Sequence, residues 1–213
     1  MNRTKSAFAA TFLAVLAALF LSTQSAVAQE ASDIDTSDIV EMVLGNPDAE
    51  VTVVEYASFT CPHCASFHAG SFKDLKKDFI DTGKIKFVYR EVYFDRQGLW
   101  AAIVARCGAG AENRYFGIAE MIYENQRVWA RQEDPAAIVD SLRRFGKTAG
   151  LTDTQLDQCF SDADTAQKLY ARYLQLAEED SVKSTPTFII NGDLYSNMPY
   201  AEMADIINAA LGE

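Results

Sequence analysis

Cys61 and Cys64 stand two residues apart, with Pro62 and His63 between them. A pair at this spacing can close a small disulfide ring, supply half of a zinc site, or exchange disulfides with other thiols. The segments on either side narrow the choice. Val51 to Ala57 is β-branched and mostly apolar, is preceded by Gly45-Asn46-Pro47, and reads as a buried central strand. Beyond the pair, Cys64, Phe67, Ser71, Phe72, Leu75 and Phe79 recur at helical spacing, and Asp81-Thr82-Gly83 ends the run. Cys61 therefore falls at a helix N-terminus, where unpaired backbone N–H groups and the helix dipole favour an anion. That position lowers a thiol's pKa and makes its thiolate both a nucleophile and a good leaving group. Pro62 suits the first helical turn. His63, as a cation or a hydrogen-bond donor, would stabilise the Cys61 thiolate further. Stabilising the reduced form makes the disulfide a stronger oxidant. Cys64, one turn in on the apolar face, should be buried with a higher pKa. Zinc would need two more ligands, and only His68, Cys107 and Cys159 remain, at no suitable spacing. An inert structural ring stays open as a rival.

The rest of the chain supplies the frame. Ile85 to Phe94 reads as a second strand, rich in aromatic and β-branched residues. From residue 98 to about 180 the pattern is helical. Leu99 to Arg106 and Tyr115 to Tyr123 read as helices, and Asp134-Pro135 is an N-cap followed by proline. Thr152 and Gln155 have capping-box spacing, and Asp162 to Ala177 keeps a helical period. Thr187 to Ile190 returns to strand, Asn191-Gly192 is a hairpin signal with Leu194 to Ser196 as its partner, and Pro199 to Leu211 closes as a helix. The order β-α-β, helices, β-β-α predicts an α/β fold with an inserted all-helical subdomain. The aromatics Trp100, Trp129, Tyr115, Phe116 and Tyr123 read as insert core, and His68 as a partly exposed helix residue.

The N-terminus reads as an address. Arg3 and Lys5 precede an uncharged apolar run from Ala7 to Leu21, and Ala26-Val27-Ala28 is a cleavage site. The run has 15 residues, short of the roughly 20 that a spanning helix needs. Residues 1–28 are thus expected to be a signal peptide, and 29–44 an acidic, solvated leader. Removing 1–28 takes away Arg3, Lys5 and no acid, so the net charge goes from −11 to −13. So acidic a chain is a poor partner for nucleic acid. Export also favours disulfides.

With these residues assembled, the chain resembles the DsbA-type thiol–disulfide oxidoreductases of the thioredoxin-like superfamily. The likeness rests on Gly45-Asn46-Pro47, Val51 to Glu55, Cys61-Pro62-His63-Cys64, and Ser184-Thr185-Pro186-Thr187-Phe188. It implies a thioredoxin-like domain of residues 45–97 and 181–213 around a helical insert of 98–180. It implies that Pro186 is a cis proline against the active-site pair and that the backbone of Thr185 binds substrate. It implies that Glu55 is a buried acid assisting proton transfer to Cys64. No cofactor beyond a redox-active Cys61–Cys64 disulfide is expected. The implied partners are folding exported proteins with cysteines and a membrane-bound reoxidising protein, the chain itself being a periplasmic monomer. Thr185, rather than valine, before the proline points towards the isomerase branch.

Four cysteines allow three pairings. If Cys61 and Cys64 pair, Cys107 and Cys159 remain, one at each end of the helical block. A structural disulfide there would close a loop of about 50 residues and contribute roughly 4 kcal/mol. Two buried free thiols are the alternative. The expected activity is donation of the Cys61–Cys64 disulfide to exported proteins. The rivals are an isomerase or reductase on the same fold, and a secreted binding protein whose Cys-x-x-Cys is only a staple.

Overall fold

The computed structural model describes residues 33–213. The signal-peptide and cleavage-site readings lie outside those residues. A five-stranded sheet has the order β1-β3-β2-β4-β5. Its strands are β1 (Met42–Gly45), β2 (Val51–Ala57), β3 (Ile85–Glu91), β4 (Thr187–Ile190) and β5 (Asp193–Ser196). Only β2 and β3 run parallel; the other pairs are antiparallel. Between β2 and β3 come α1 (Pro62–Ala69), α2 (Ser71–Leu75) and a π-helical turn, Lys76–Ile80. Six helices separate β3 from β4: α3 (Arg96–Ala105), α4 (Ala111–Glu124), α5 (Gln126–Trp129), α6 (Pro135–Thr148), α7 (Asp153–Ser161) and α8 (Ala163–Glu179). Helix α9 (Tyr200–Leu211) closes the chain.

Local signals explain most of these elements. Asp134 caps α6 ahead of Pro135, and the Thr152–Gln155 capping box starts α7. Asn191 and Gly192 both take positive φ, the geometry of an Asn-Gly hairpin turn. Strand β2 sits in the middle of the sheet and is buried on both faces. Val53, Glu55 and Ala57 alternate with Val54 and Tyr56, so the acid joins the apolar set on one face. That face packs α1, α2, α4 and α9 around Phe59, Phe67, Phe87, Tyr89 and Phe188. On the other face Val54, Tyr56, Val88 and Val92 meet Tyr173 and Leu176 of α8.

Four expectations need correction. Strand β3 stops at Glu91 rather than Phe94, and Phe94 is exposed. The helix after Cys61 is not continuous. Gly70, at φ −126° and ψ −95°, breaks it, and the π-helical turn then lets the adjacent Phe79 and Ile80 both bury. The acidic leader does not extend to residue 44. Thr36 is buried and its hydroxyl donates to Gln175 at 2.8 Å, and Met42–Gly45 forms the edge strand β1. Nor do Tyr115 and Tyr123 serve the insert alone. They meet Phe59, and Tyr115 also meets Tyr89, in a seam shared with the sheet.

Gly45 ends β1 at φ +82°, and a Cβ there would lie 2.4 Å from the Ile85 carbonyl oxygen. Gly45→Ala therefore has to move the β1–β3 pairing as well as hold a left-handed residue. A stability loss of about 2 kcal/mol or more is expected, measured as a lower urea midpoint with an unchanged slope.

Candidate active site

The end of β2 delivers the chain to Ser58-Phe59-Thr60, and Cys61 follows as the N-cap of α1, extended at φ −78° and ψ 119°. Pro62 takes the first helical position. Cys61 is half-buried, Cys64 is fully buried, and both are free thiols in this structure. The Thr185–Pro186 peptide opposite them is cis, as the resemblance implied. Cys61 Sγ donates to the Thr185 carbonyl at 3.4 Å.

The two sulfurs are held in different states. The Cys64 thiol donates to Cys61 and, with the Thr185 side chain and the backbone N–H groups of Cys64 and His63, lowers the Cys61 pKa to about 5 against the opposing effect of burial. The buried Thr185 hydroxyl has no hydrogen-bond partner in the thiol form, which leaves it available to a thiolate. Burial, the hydrogen bond to Cys61 and the nearby Glu55 charge push the Cys64 thiol far up. Cys61 is therefore an anion at neutral pH and Cys64 keeps its proton. His63 is exposed, and its effect on Cys61 runs through its backbone N–H rather than its ring.

Glu55 is fully buried on the active-site face of β2. His68 Nε2 lies 3.0 and 3.1 Å from its two carboxylate oxygens. His68 is partly exposed on α1, as expected, while its side chain is only 8% exposed and turns towards Glu55. Tyr123 of α4 stacks on the ring at 4.3 Å between centroids, and Phe72 packs at 4.5 Å. His68 is four residues after Cys64, so it lies on the same side of α1.

Two further residues escaped the sequence reading. Gln126, the first residue of α5, is buried, and its Nε2 donates to the carbonyls of Phe59 and Cys61 at 2.8 and 2.9 Å. Asp95, the N-cap of α3, accepts from Gly98 N–H and from the Thr60 hydroxyl, both at 2.8 Å. The inserted helices thus hold the catalytic loop at two points.

Residues 37–209 match the family model described as Thioredoxin. The chain belongs to the thioredoxin family. A Rickettsia bellii chain that carries the name of a protein-disulfide oxidoreductase is 34% identical over 180 residues, covering 84% of this chain and 67% of that one. Other Rickettsia relatives are spanned over 61 to 64% of their length. Disulfide bond formation protein D of Bacillus subtilis is 27% identical, with 79% and 76% covered. Among solved structures, Wolbachia pipientis alpha-DsbA1 superposes with a TM-score of 0.73 at 22% identity, over 84% of this chain and 96% of that one. Within the thioredoxin family this chain therefore stands with the protein-disulfide oxidoreductases and has the DsbA fold, helical insertion included.

This thioredoxin-family member also joins Cys107, just after α3, to Cys159 in α7, with Cα atoms 5.7 Å apart. Among the described residues no cluster of His, Cys, Asp and Glu could hold a metal ion. Truncating the Gln126 clamp is expected to leave two buried carbonyls without their side-chain donor. Gln126→Ala should lose about 2 kcal/mol in urea unfolding of the reduced protein and loosen Cys61, seen as a changed alkylation rate.

Proposed function

We propose that the chain is an exported thiol–disulfide oxidoreductase that donates its Cys61–Cys64 disulfide to cysteines of folding exported proteins. The observation that carries this reading is the asymmetry of the two sulfurs. A substrate thiolate attacks the reachable Cys61 sulfur, the bond to Cys64 breaks, and Cys64 takes a proton. A second substrate thiolate attacks the substrate sulfur of the mixed disulfide, the substrate disulfide closes, and Cys61 leaves as a stable thiolate. Stabilising that leaving state drives the transfer forward. The Thr185 backbone, beside the cis proline, supports sequence-tolerant binding of an extended substrate through main-chain hydrogen bonds.

The same reading assigns the chain no cofactor besides its own disulfide, a monomeric state, and a membrane-bound partner that reoxidises Cys61 and Cys64. No helix among the described residues is long and apolar enough to cross a membrane. A periplasmic location after cleavage behind Ala28 fits the sequence of residues 1–28. Isomerisation is the second reading. Thr185 favours it, as does a Novosphingobium aromaticivorans structure titled protein-disulfide isomerase, 27% identical with a TM-score of 0.71 and 81% of this chain covered.

The test is equilibration with graded glutathione buffers, alkylation, and mass spectrometry of each cysteine. Reduction of Cys61–Cys64 under far more oxidising conditions than Cys107–Cys159 is expected. Equal resistance of the two pairs would overturn the donor reading, and rescue of scrambled disulfides would favour the isomerase.

A further inference from the structure

Donation and reoxidation both need a proton to reach or leave Cys64, which is sealed from solvent. Cys61 accepts from the thiol on one side and itself meets the Thr185 carbonyl of the cis-proline loop. Glu55 lies on the strand beneath, and His68 grips both of its oxygens from the next turn of α1. His68 in turn lines a groove of about 830 Å³ between α1, α2 and α4, α5, to which neither Cys61 nor Cys64 contributes. We propose that His68 is the proton gate of the resolving cysteine: the Glu55–His68 pair carries protons between buried Cys64 and water in this groove, on a route separate from the substrate cleft. The proposal rests on the thiol–disulfide reading above.

The pair is loaded when one proton lies between Nε2 and the carboxylate while Nδ1 keeps its own. During donation the Cys61–Cys64 bond breaks, Cys64 leaves as a thiolate, and the loaded pair passes its proton through Glu55 to that sulfur. Groove water reloads the ring. During reoxidation the Cys61 thiolate attacks an external disulfide, RSSR, and RS⁻ leaves. Cys64 then gives its proton to Glu55 and attacks the Cys61 sulfur. The Cys61–Cys64 bond forms, a second RS⁻ leaves, and the proton exits through His68. The external disulfide is reduced by two electrons and the two cysteines are oxidised by two.

His68 faces Glu55 on β2, Tyr89 on β3 at 5.9 Å and Tyr123 on α4. Cys64 lies one turn back on its own helix. The two tyrosine hydroxyls, 2.5 Å apart, are pushed well up by burial, so they stay neutral. The charged residues along the groove, Lys73, Lys76, Glu120, Glu124, Arg127 and Arg131, mix both signs. His68 touches no reacting sulfur, so it is a positioning and relay residue that acts through Glu55.

The experiment mixes reduced full-length mature protein with excess oxidised glutathione between pH 6 and 8. It follows the Cys61–glutathione mixed disulfide by acid quench and mass spectrometry. His68→Gln keeps a donor to Glu55 but cannot cycle a proton. It is expected to slow decay of the mixed disulfide about 100-fold, within the range of lost acid–base catalysis, and to flatten its pH profile. Alkylation of Cys61 by iodoacetamide should stay within about twofold of wild type, since that step needs no proton from Cys64. His68→Ala should be slow likewise and regain rate with added imidazole. Wild-type decay rates in a folded His68→Gln would overturn the relay, as would equal slowing of decay and alkylation. If neither variant folds, wild-type decay in heavy water decides, and no isotope effect there would also overturn it. Failure of wild-type Cys61 to form any mixed disulfide would instead sink the proposed function.

Discussion

Cys61→Ser is expected to abolish disulfide transfer to a reduced substrate protein, and so is Cys64→Ser, which keeps only the attack of Cys61 on an external disulfide. Serine cannot accept a thiolate's attack, and Cys61 carries the only reachable sulfur of the pair. In Cys64→Ser the remaining Cys61 thiolate still attacks an external disulfide. Without its buried partner to resolve the adduct, a stable mixed disulfide should accumulate, visible as a mass increase that dithiothreitol removes. The thiolate itself should be visible. Hydrogen bonding from Cys64 moves the Cys61 pKa from the ordinary 9.0 to about 5. Thiolate absorbance at 240 nm and alkylation rate in the reduced protein should both titrate with a midpoint near pH 5. Because the folded pKa is depressed, the stabilisation of the reduced form is fully present above about pH 9 and is lost as pH falls through about 5. The reduced protein should therefore lose this contribution to its stability below about pH 5. An alkylation midpoint near pH 9 would show that the helix end and its neighbours do not tune this sulfur.

The second large effect is structural. Cys107–Cys159 joins residues 52 apart in sequence, linking the end of α3 to α7. Closing a loop of that length constrains the unfolded chain by about 4 kcal/mol. Cys107→Ser with Cys159→Ser should lower the melting temperature by about 8–16 °C, given about 2–4 °C per kcal/mol at this size. The lone cysteine left by either single variant makes no cross-link, so each single change should cost nearly as much as both. Equal melting of the double variant and the disulfide-bonded protein would remove the bond from the stability account.

The contrast between what was legible and what was not follows local against long-range causes. Strand β2, the cap and proline of α6, the capping box of α7 and the Asn191-Gly192 turn all depend on residues within a few positions of each other. So does the placement of Cys61 at a helix start. Strand β1 has four residues, too few for a period of two to stand out, and it is a strand only because β3 pairs with it. The break at Gly70 interrupts a run whose apolar spacing continues through it. The partial exposure of His68 was legible from its place on α1. Its pairing with Glu55 was not, since the two are 13 residues apart, one on a strand and one on a helix. Gln126 lies 65 residues from the carbonyl of Cys61, and no spacing rule connects them.

The aromatic seam has a thermodynamic consequence. Phe59, next to the catalytic loop, touches Tyr89 of the sheet and Tyr115 and Tyr123 of the insert. Tyr115 also donates to Glu91, whose carboxylate holds Arg106 at the end of α3. The main core thus runs from the sheet into the insert without a break, so melting should be a single cooperative transition. The oxidation state of one small ring then becomes part of the global unfolding equilibrium. Amide protons of the insert, far from either active sulfur, should exchange at rates that report whether the protein has yet given its disulfide away.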